Sequence, residues 1–426
     1  MTFPAPTPDT VKQGKKQPAP GTARAAWGYR DFRLMWSANF LSSVGTWMQN
    51  VVLPAYIYTR THSATVVSVF VFAQLGPLLL MSIPAGVLAD RFKRRNWLTV
   101  TQSEQLVFSV VLGFFAWHHA PIWMMFAAQL CVGIGNAANA PAFSAVMPSM
   151  VRPEDLGGSI SLSSAAVNGS RVAGPIIVAV LSNLGVTVAQ IFWINAATYL
   201  FVVWALFRVT LPPTTKDHDN GWRGLGVGIK VARERKAIGR LLLTLFTYSL
   251  ISLTYVGLFA AVAQLNFGIK PKTAMYKWLY ATWGLGAMFG ALLVGSVFAA
   301  IDKRKLTQWG FMINAFFMVT FALSGSPLPA FITGFFLGAS YFGTTTAMST
   351  IFQGRLEIAV RARVLALWFM CFGGTIPIGN FIFAPIMDHI GSRPVLLIGA
   401  AWTLFLAWWC NIEALDRKYG TQSPVL

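Results

Sequence analysis

Long apolar blocks separated by short polar gaps make up most of this chain. Twelve blocks approach the ~20 residues that a helix needs to cross a ~30 Å hydrocarbon core. They fall at about 34–58, 65–89, 97–117, 121–145, 158–181, 186–207, 240–265, 278–299, 306–323, 328–350, 364–387 and 394–411. Several contain Gly and Pro, which break soluble helices but are tolerated where neighbouring helices satisfy the freed backbone groups. The pattern predicts an all-α polytopic membrane protein with twelve transmembrane helices in two six-helix halves. Residues 31–207 form the first half and 240–412 the second. A cytoplasmic linker, 208–239, joins them, and cytoplasmic tails lie at 1–30 and 413–426. The first tail is rich in Pro, Ala and Lys without an apolar core, so it reads as disordered and not as a cleaved signal.

Composition agrees with the pattern. Of the 426 residues, 55% are hydrophobic and only 11% are charged, against roughly 25% charged in a soluble domain. A net charge of +19 could suggest a nucleic-acid partner, so the location of the bases decides. With the N-terminus inside, Arg60, Lys270, Lys272, Lys277 and Arg393 fall outside, Arg171 lies within a span, and every other Lys and Arg is cytoplasmic. Such a bias orients a membrane protein and favours contact with anionic lipid. Membrane lipid is therefore the expected partner, and nucleic acid is not. Cys131, Cys371 and Cys410 sit inside apolar blocks as packing thiols. The five histidines are scattered over helix ends and loops, so no metal site is expected.

The linker is polar at 214–220 and then basic, with Arg223, Lys230, Arg233, Arg235 and Lys236 interleaved with Trp222, Leu225, Ile229 and Ile238. Its second part suits a helix lying on the lipid surface.

The gap after the second block holds Gly86, Leu88, Asp90, Arg91, Arg94 and Arg95. These residues resemble the Gly-x-Leu-x-Asp-Arg-x-Gly-Arg-Arg signature of the major facilitator superfamily, with Lys93 where Gly is usual. A weaker copy follows the eighth block, where Lys303-Arg304-Lys305 echo Arg94-Arg95 but Ala299 replaces the acid. In the fifth block, Asn168, Arg171, Gly174 and Pro175 are similar to the helix-5 motif of the superfamily's antiporters, although Val178 and Ala179 replace its second glycine pair. Proline bends a helix and glycine lets helices approach closely. The stretches 39–49, Pro77, 139–143 and 361–364 narrow the resemblance to the third drug:proton antiporter family, which includes enterobactin-type siderophore exporters and macrolide efflux proteins. The Arg common near the cavity face of helix 4 is absent, and Gln129 precedes Gly133 instead.

This resemblance implies a gating role for Gly86, Asp90, Arg91, Arg94 and Arg95. Asp90 would face the amino end of helix 11 near Arg363, where the helix dipole favours a carboxylate by ~0.3–1 kcal/mol. The arginines would pair with Glu154 or Asp155. It also implies that helices 1, 4, 7 and 10 line the substrate cavity. Asn39, Gln49, Asn50, Asn136, Asn139, Tyr248, Tyr255 and Tyr341 are then the polar cavity candidates, with Asn380 on helix 11. Apolar walls with a few orienting polar groups suit amphipathic ligands.

Proton coupling needs a titratable group inside a span, where ionisable residues are costly and functional by default. Of the fourteen acids, only Glu104 lies clearly within one, about 10 Å from its cytoplasmic start at 1.5 Å per residue. It either carries the proton or forms a structural ion pair with Arg94 or Arg95. Arg171, permanently charged, either holds an anionic group or serves as a fixed strut.

The expected function is secondary active export of amphipathic small molecules by proton antiport with alternating access, from a bacterial inner membrane, as a monomer with both termini cytoplasmic. No cofactor is needed beyond the proton gradient. A dedicated siderophore exporter and a non-transporting membrane sensor or assembly factor stay open as alternatives. An enzyme is not expected, because the chain shows no catalytic triad, metal cluster, phosphate loop or paired carboxylates.

Overall fold

A computed structural model describes residues 19–89, 91–211, 222–356, 364–365 and 367–419. These residues are mostly helical, and no strand occurs among them. The long helices coincide with the apolar blocks. The first six are α1 Arg30–Thr61, α2 Ala64–Ala89, α3 Arg94–Trp117, α4 Ile122–Ser149, α5 Leu156–Asn183 and α6 Val188–Arg208. Next comes α7, assembled from pieces between Lys236 and Phe267, then α8 Ala274–Gly295, α9 Lys303–Leu323, α10 Pro327–Gly354, α11 Leu367–Ile390 and α12 Ser392–Trp409. Among the described residues, nine helices are long and apolar enough to cross a membrane. The other three blocks, α1, α7 and α10, are helical too. Ser, Thr, Asn, Gln and Gly dilute α1 and α10, while α7 is interrupted. The all-α polytopic fold expected from the blocks is therefore observed.

The chain divides into two compact units. One comprises the described residues of Met1–Val52, Leu80–Val178 and Gly185–His218, the other those of Leu53–Leu79, Ala179–Leu184 and Asp219–Leu426. In the first unit, α3 packs against α4 and α6. One end of it is closed by an apolar cluster in which Phe32, Met35, Leu98, Phe143, Val146 and Leu206 are all buried.

The segment read as a disordered tail is structured from residue 19 onward. Thr22 caps the short helix Ala23–Ala26, and Ala26 and Tyr29 insert into the same apolar cluster. Asp155 fixes it, accepting the Gly21 N–H at 3.0 Å and the Tyr29 hydroxyl at 2.7 Å. Burial, reinforced by the Asp155 carboxylate, pushes the Tyr29 phenol up to about 12. The composition concealed this because two buried side chains and one acid hold the segment.

In the second unit, α10 packs on α8 and α9, and α9 on α12. Small residues permit the first contact: a Cβ at Gly286 or Gly290 would run into the backbone of Phe335 or Ala339 on α10. The basic half of the linker forms the amphipathic helix Trp222–Glu234. At the chain's end, the helix Ile412–Tyr419 brings Asp416 onto Arg355 at 2.6 Å and Arg304 at 3.0 Å. Arg304 also holds Asp302 at 2.7 Å, and that bond keeps the Asp302 carboxyl below the usual carboxylate range.

Candidate functional site

A buried amide network occupies the middle of the first unit. Gln49 of α1 donates Nε2–H to Gln129 Oε1 of α4 at 2.9 Å. Its own Oε1 accepts from Asn195 Nδ2 of α6 at 2.7 Å and from Ser109 Oγ of α3 at 3.3 Å. All four side chains are buried. Each helix alone would carry an isolated polar group into hydrocarbon; together the four satisfy one another, which is how polar side chains join membrane helices. Gln49 was expected on the cavity wall, and here its amide holds four helices of one unit together.

Glu104 lies on the same helix as Ser109, against α4. The slot is made by Gly135, where a Cβ would collide with Glu104 Oε2. That oxygen is buried and accepts no hydrogen bond among the described residues. No salt bridge from Glu104 to Arg94 or Arg95 occurs. Arg94 reaches Ser149 Oγ at 3.4 Å, and Arg95 donates to the Val209 carbonyl at 2.8 Å. The expected partner of these arginines, Asp155, is instead engaged by Tyr29 and Gly21. Arg91 is exposed just beyond the end of α2, and Gly86 lies within that helix. Asp90, together with Glu357, Arg361 and Arg363, lies outside the described residues.

The helix-5 motif shows why it needs glycine. A Cβ on Gly174 would meet Trp47 Cβ at 2.6 Å and the Met48 nitrogen at 3.1 Å, so α5 touches the backbone of α1 there. Pro175 follows inside an otherwise continuous helix. One turn earlier, the Arg171 guanidinium lies over the Trp47 ring at 5.4 Å, a cation–π contact worth roughly 0.5–2 kcal/mol. Asn168 bonds back to the Ser164 carbonyl of its own helix at 2.9 Å. Asn139 accepts from Thr101 at 3.3 Å, and Asn39, Asn50 and Asn136 are half-buried.

In the second unit, the candidate residues gather where α7 breaks. A π-turn at Tyr248–Ser252 is followed by non-helical Leu253 and Leu258. Neighbouring α11 begins with its own π-turn, Met370–Gly374. Such irregularities recur at functional sites, and interrupted helices often line transporter sites. Here Gly379 of α11 lies directly on the Leu250 carbonyl, and Gly257 lies against the Asn380 amide. Asn380 is fully buried, and neither of its amide atoms has a hydrogen-bond partner among the described residues. The Tyr255 hydroxyl and the Trp283 indole N–H lie close to each other and have no further partner among the described residues. Tyr341 stacks on Trp283 with ring centres 5.9 Å apart. Tyr248 is different, because its hydroxyl donates to Asn314 Oδ1 at 2.9 Å. An unpaired buried polar group costs ~1–3 kcal/mol, so the Asn380 amide marks a place suited to a further polar partner.

Asp388, set aside in the sequence as a helix-end acid, makes a dense contact. At the end of α11 it accepts the Ala64 and Thr65 N–H groups at 2.6 and 2.9 Å, and the Ser63 and Thr65 hydroxyls at 2.8 and 2.7 Å. It thereby caps the amino end of α2, where a carboxylate is favoured. Sequence reasoning missed this residue, as it missed Ser109, Asn195, Asn314 and Trp283. The available signal was a lone amide inside an apolar block at Asn195 and Asn314.

A family model described as a transmembrane secretion effector matches residues 22–418. Macrolide efflux protein A of Streptococcus pyogenes is 25% identical over 411 residues, covering 91% of this chain and 98% of that protein. The enterobactin exporter EntS of Escherichia coli is 24% identical over 344 residues, covering 79% of this chain and 80% of the exporter. Among solved structures, a bacterial homolog of the human lysosomal transporter Spinster superposes with a TM-score of 0.71 at 14% identity, covering 93% of this chain and 99% of that one. At that identity the likeness concerns the fold.

Proposed function

Because the chain belongs to the transmembrane secretion effector family of the major facilitator superfamily, we propose that it exports amphipathic small molecules in exchange for protons. It is a multi-pass membrane transporter and not an enzyme. The substrate is bound by the aromatic and amide groups at the α7 break. The observation that carries this is the fully buried Asn380, whose amide lies against Gly257 in the α7 break and has no hydrogen-bond partner among the described residues. Trp283 and Tyr341 supply an apolar face, and Asn380 and Tyr255 supply direction, the combination that suits amphipathic ligands.

Glu104 is the coupling carboxylate. Its buried oxygen has no basic partner to hold it ionised, and Gly135 leaves room for it against α4. Alternating access comes from one six-helix half rocking against the other. Gly86, Asp90, Arg91, Arg94 and Arg95 bias the two states, and Arg171 with Gly174 and Pro175 forms the α1–α5 strut. Both termini and the linker are cytoplasmic, in a bacterial inner membrane.

The macrolide efflux relative favours a drug-like substrate, and the enterobactin exporter supports a second reading, export of an iron-chelating metabolite. Both relatives are named for transport, which leaves the sensor or assembly-factor reading without support. The test is energised accumulation of erythromycin or enterobactin in inverted membrane vesicles. Accumulation that collapses with the pH gradient supports the proposal, and its absence for both compounds and other amphipathic probes contradicts it. Whichever of the two compounds accumulates decides between the readings.

A further inference from the structure

The first unit carries a cationic pocket that export does not use. Trp27, Arg30, Arg33, Ser37, Trp204 and Arg208 line a cavity of about 420 Å³ where α1 begins and α6 ends. Arg30 and Arg208 are exposed, and the Arg208 guanidinium lies 5.5 Å from the Trp204 ring centre. Arg33 donates to the Trp27 carbonyl at 3.1 Å, which fixes its head beside the opening. Among the described residues that line the pocket there is no carboxylate. The adjacent acid, Asp31, is engaged by the Thr210 N–H at 2.8 Å. Two exposed permanent positive charges, Arg30 and Arg208, thus share one pocket beside Arg33, and an anion there relieves their mutual repulsion.

The surroundings say which anion. Trp27 is 36% exposed and Trp204 is 48% exposed, and indoles gather at the level of lipid headgroups. Leu200, Phe201 and Phe207 on α6 are also exposed, so apolar surface continues from the pocket along the helix. A soluble phosphate has no use for such a surface, but an acyl chain does. Guanidinium groups grip phosphate oxygens in pairs, and basic pockets between membrane helices take anionic headgroups.

We propose that this pocket binds the phosphate of an anionic phospholipid, whose chain lies along α6. The site is independent of the transported substrate, so it stands or falls separately from the export reading.

The experiment uses the full chain purified in detergent. Lipid retention is read by native mass spectrometry with phosphatidylglycerol or phosphatidylcholine added. Wild type should retain phosphatidylglycerol in preference to phosphatidylcholine. Each of R30Q and R208Q should lower that retention about fivefold, from the usual worth of a base at an anionic surface. Both spare Arg33, which holds the Trp27 carbonyl. R30K/R208K keeps the charge but not the paired guanidinium bonds and should recover part of the retention, which separates charge loss from misfolding. The control K230Q/R233Q removes exposed bases on the helix Trp222–Glu234 and should change nothing. Equal loss in that control, unchanged retention in R30Q/R208Q, or displacement of the lipid by millimolar inorganic phosphate would each overturn the assignment.

Discussion

Gln49 joins one residue from each of α3, α4 and α6 through a single amide. Replacing it with Leu strands the Gln129, Asn195 and Ser109 side chains together. Interhelical hydrogen bonds in membranes average about 0.6 kcal/mol. Gln49→Leu should therefore cost about 2 kcal/mol, visible as a lower melting temperature in detergent, while Asn50→Leu, half-buried on the same helix, should cost less. Equal melting temperatures for Gln49→Leu and wild type would show that the network contributes nothing to stability. Glu104 was legible in the sequence because acids are rare enough to sort one by one. Asn195 and Ser109 were not, because a single polar residue disappears into the average of an apolar block. Their pairing with Gln49 depends on the register of three neighbouring helices. Gln49 itself was recognised as significant, but its three partners were not, since composition cannot say which way a helix is rotated.

Helix positions were readable because length and apolar content are properties of the chain alone. The interruption of α7 was not, because no proline marks residues 248–258. The break arises where Gly379 brings α11 onto the Leu250 carbonyl, a contact made by tertiary packing. Gly174, by contrast, was read correctly as a point of close helix approach, and α1 is the helix it admits. The cap on α2 yields a prediction at this scale. Asp388→Ala removes four acceptor contacts, two of them to backbone N–H groups at a helix start. Replacing a capping acceptor at a helix start by Ala costs ~0.5–2 kcal/mol, so the loss should be about 2 kcal/mol. Asp388→Asn, which keeps one acceptor oxygen, should lose less. Thermal unfolding in detergent reads both, and a rank order with Asn below Ala would contradict the capping role.

A two-sided distribution of bases is what orients a membrane protein, and the proposed cytoplasmic linker follows from it. Maleimide labelling of Thr215→Cys from outside intact cells should fail and should succeed once the membrane is opened; efficient labelling of intact cells would reverse the topology. Family and fold followed from the motif after the second block together with the twelve apolar blocks, whereas the substrate is not written in either. The proposed transport mechanism rests on proton exchange through Glu104. Its most direct test is proteoliposomes loaded with a pH-sensitive dye, in which an imposed erythromycin gradient drives movement of protons. Wild type should move protons opposite to the drug, and Glu104→Gln should bind erythromycin with similar affinity but leave the dye signal flat. Equal proton movement by the Gln variant would show that another group carries the proton and would contradict this mechanism.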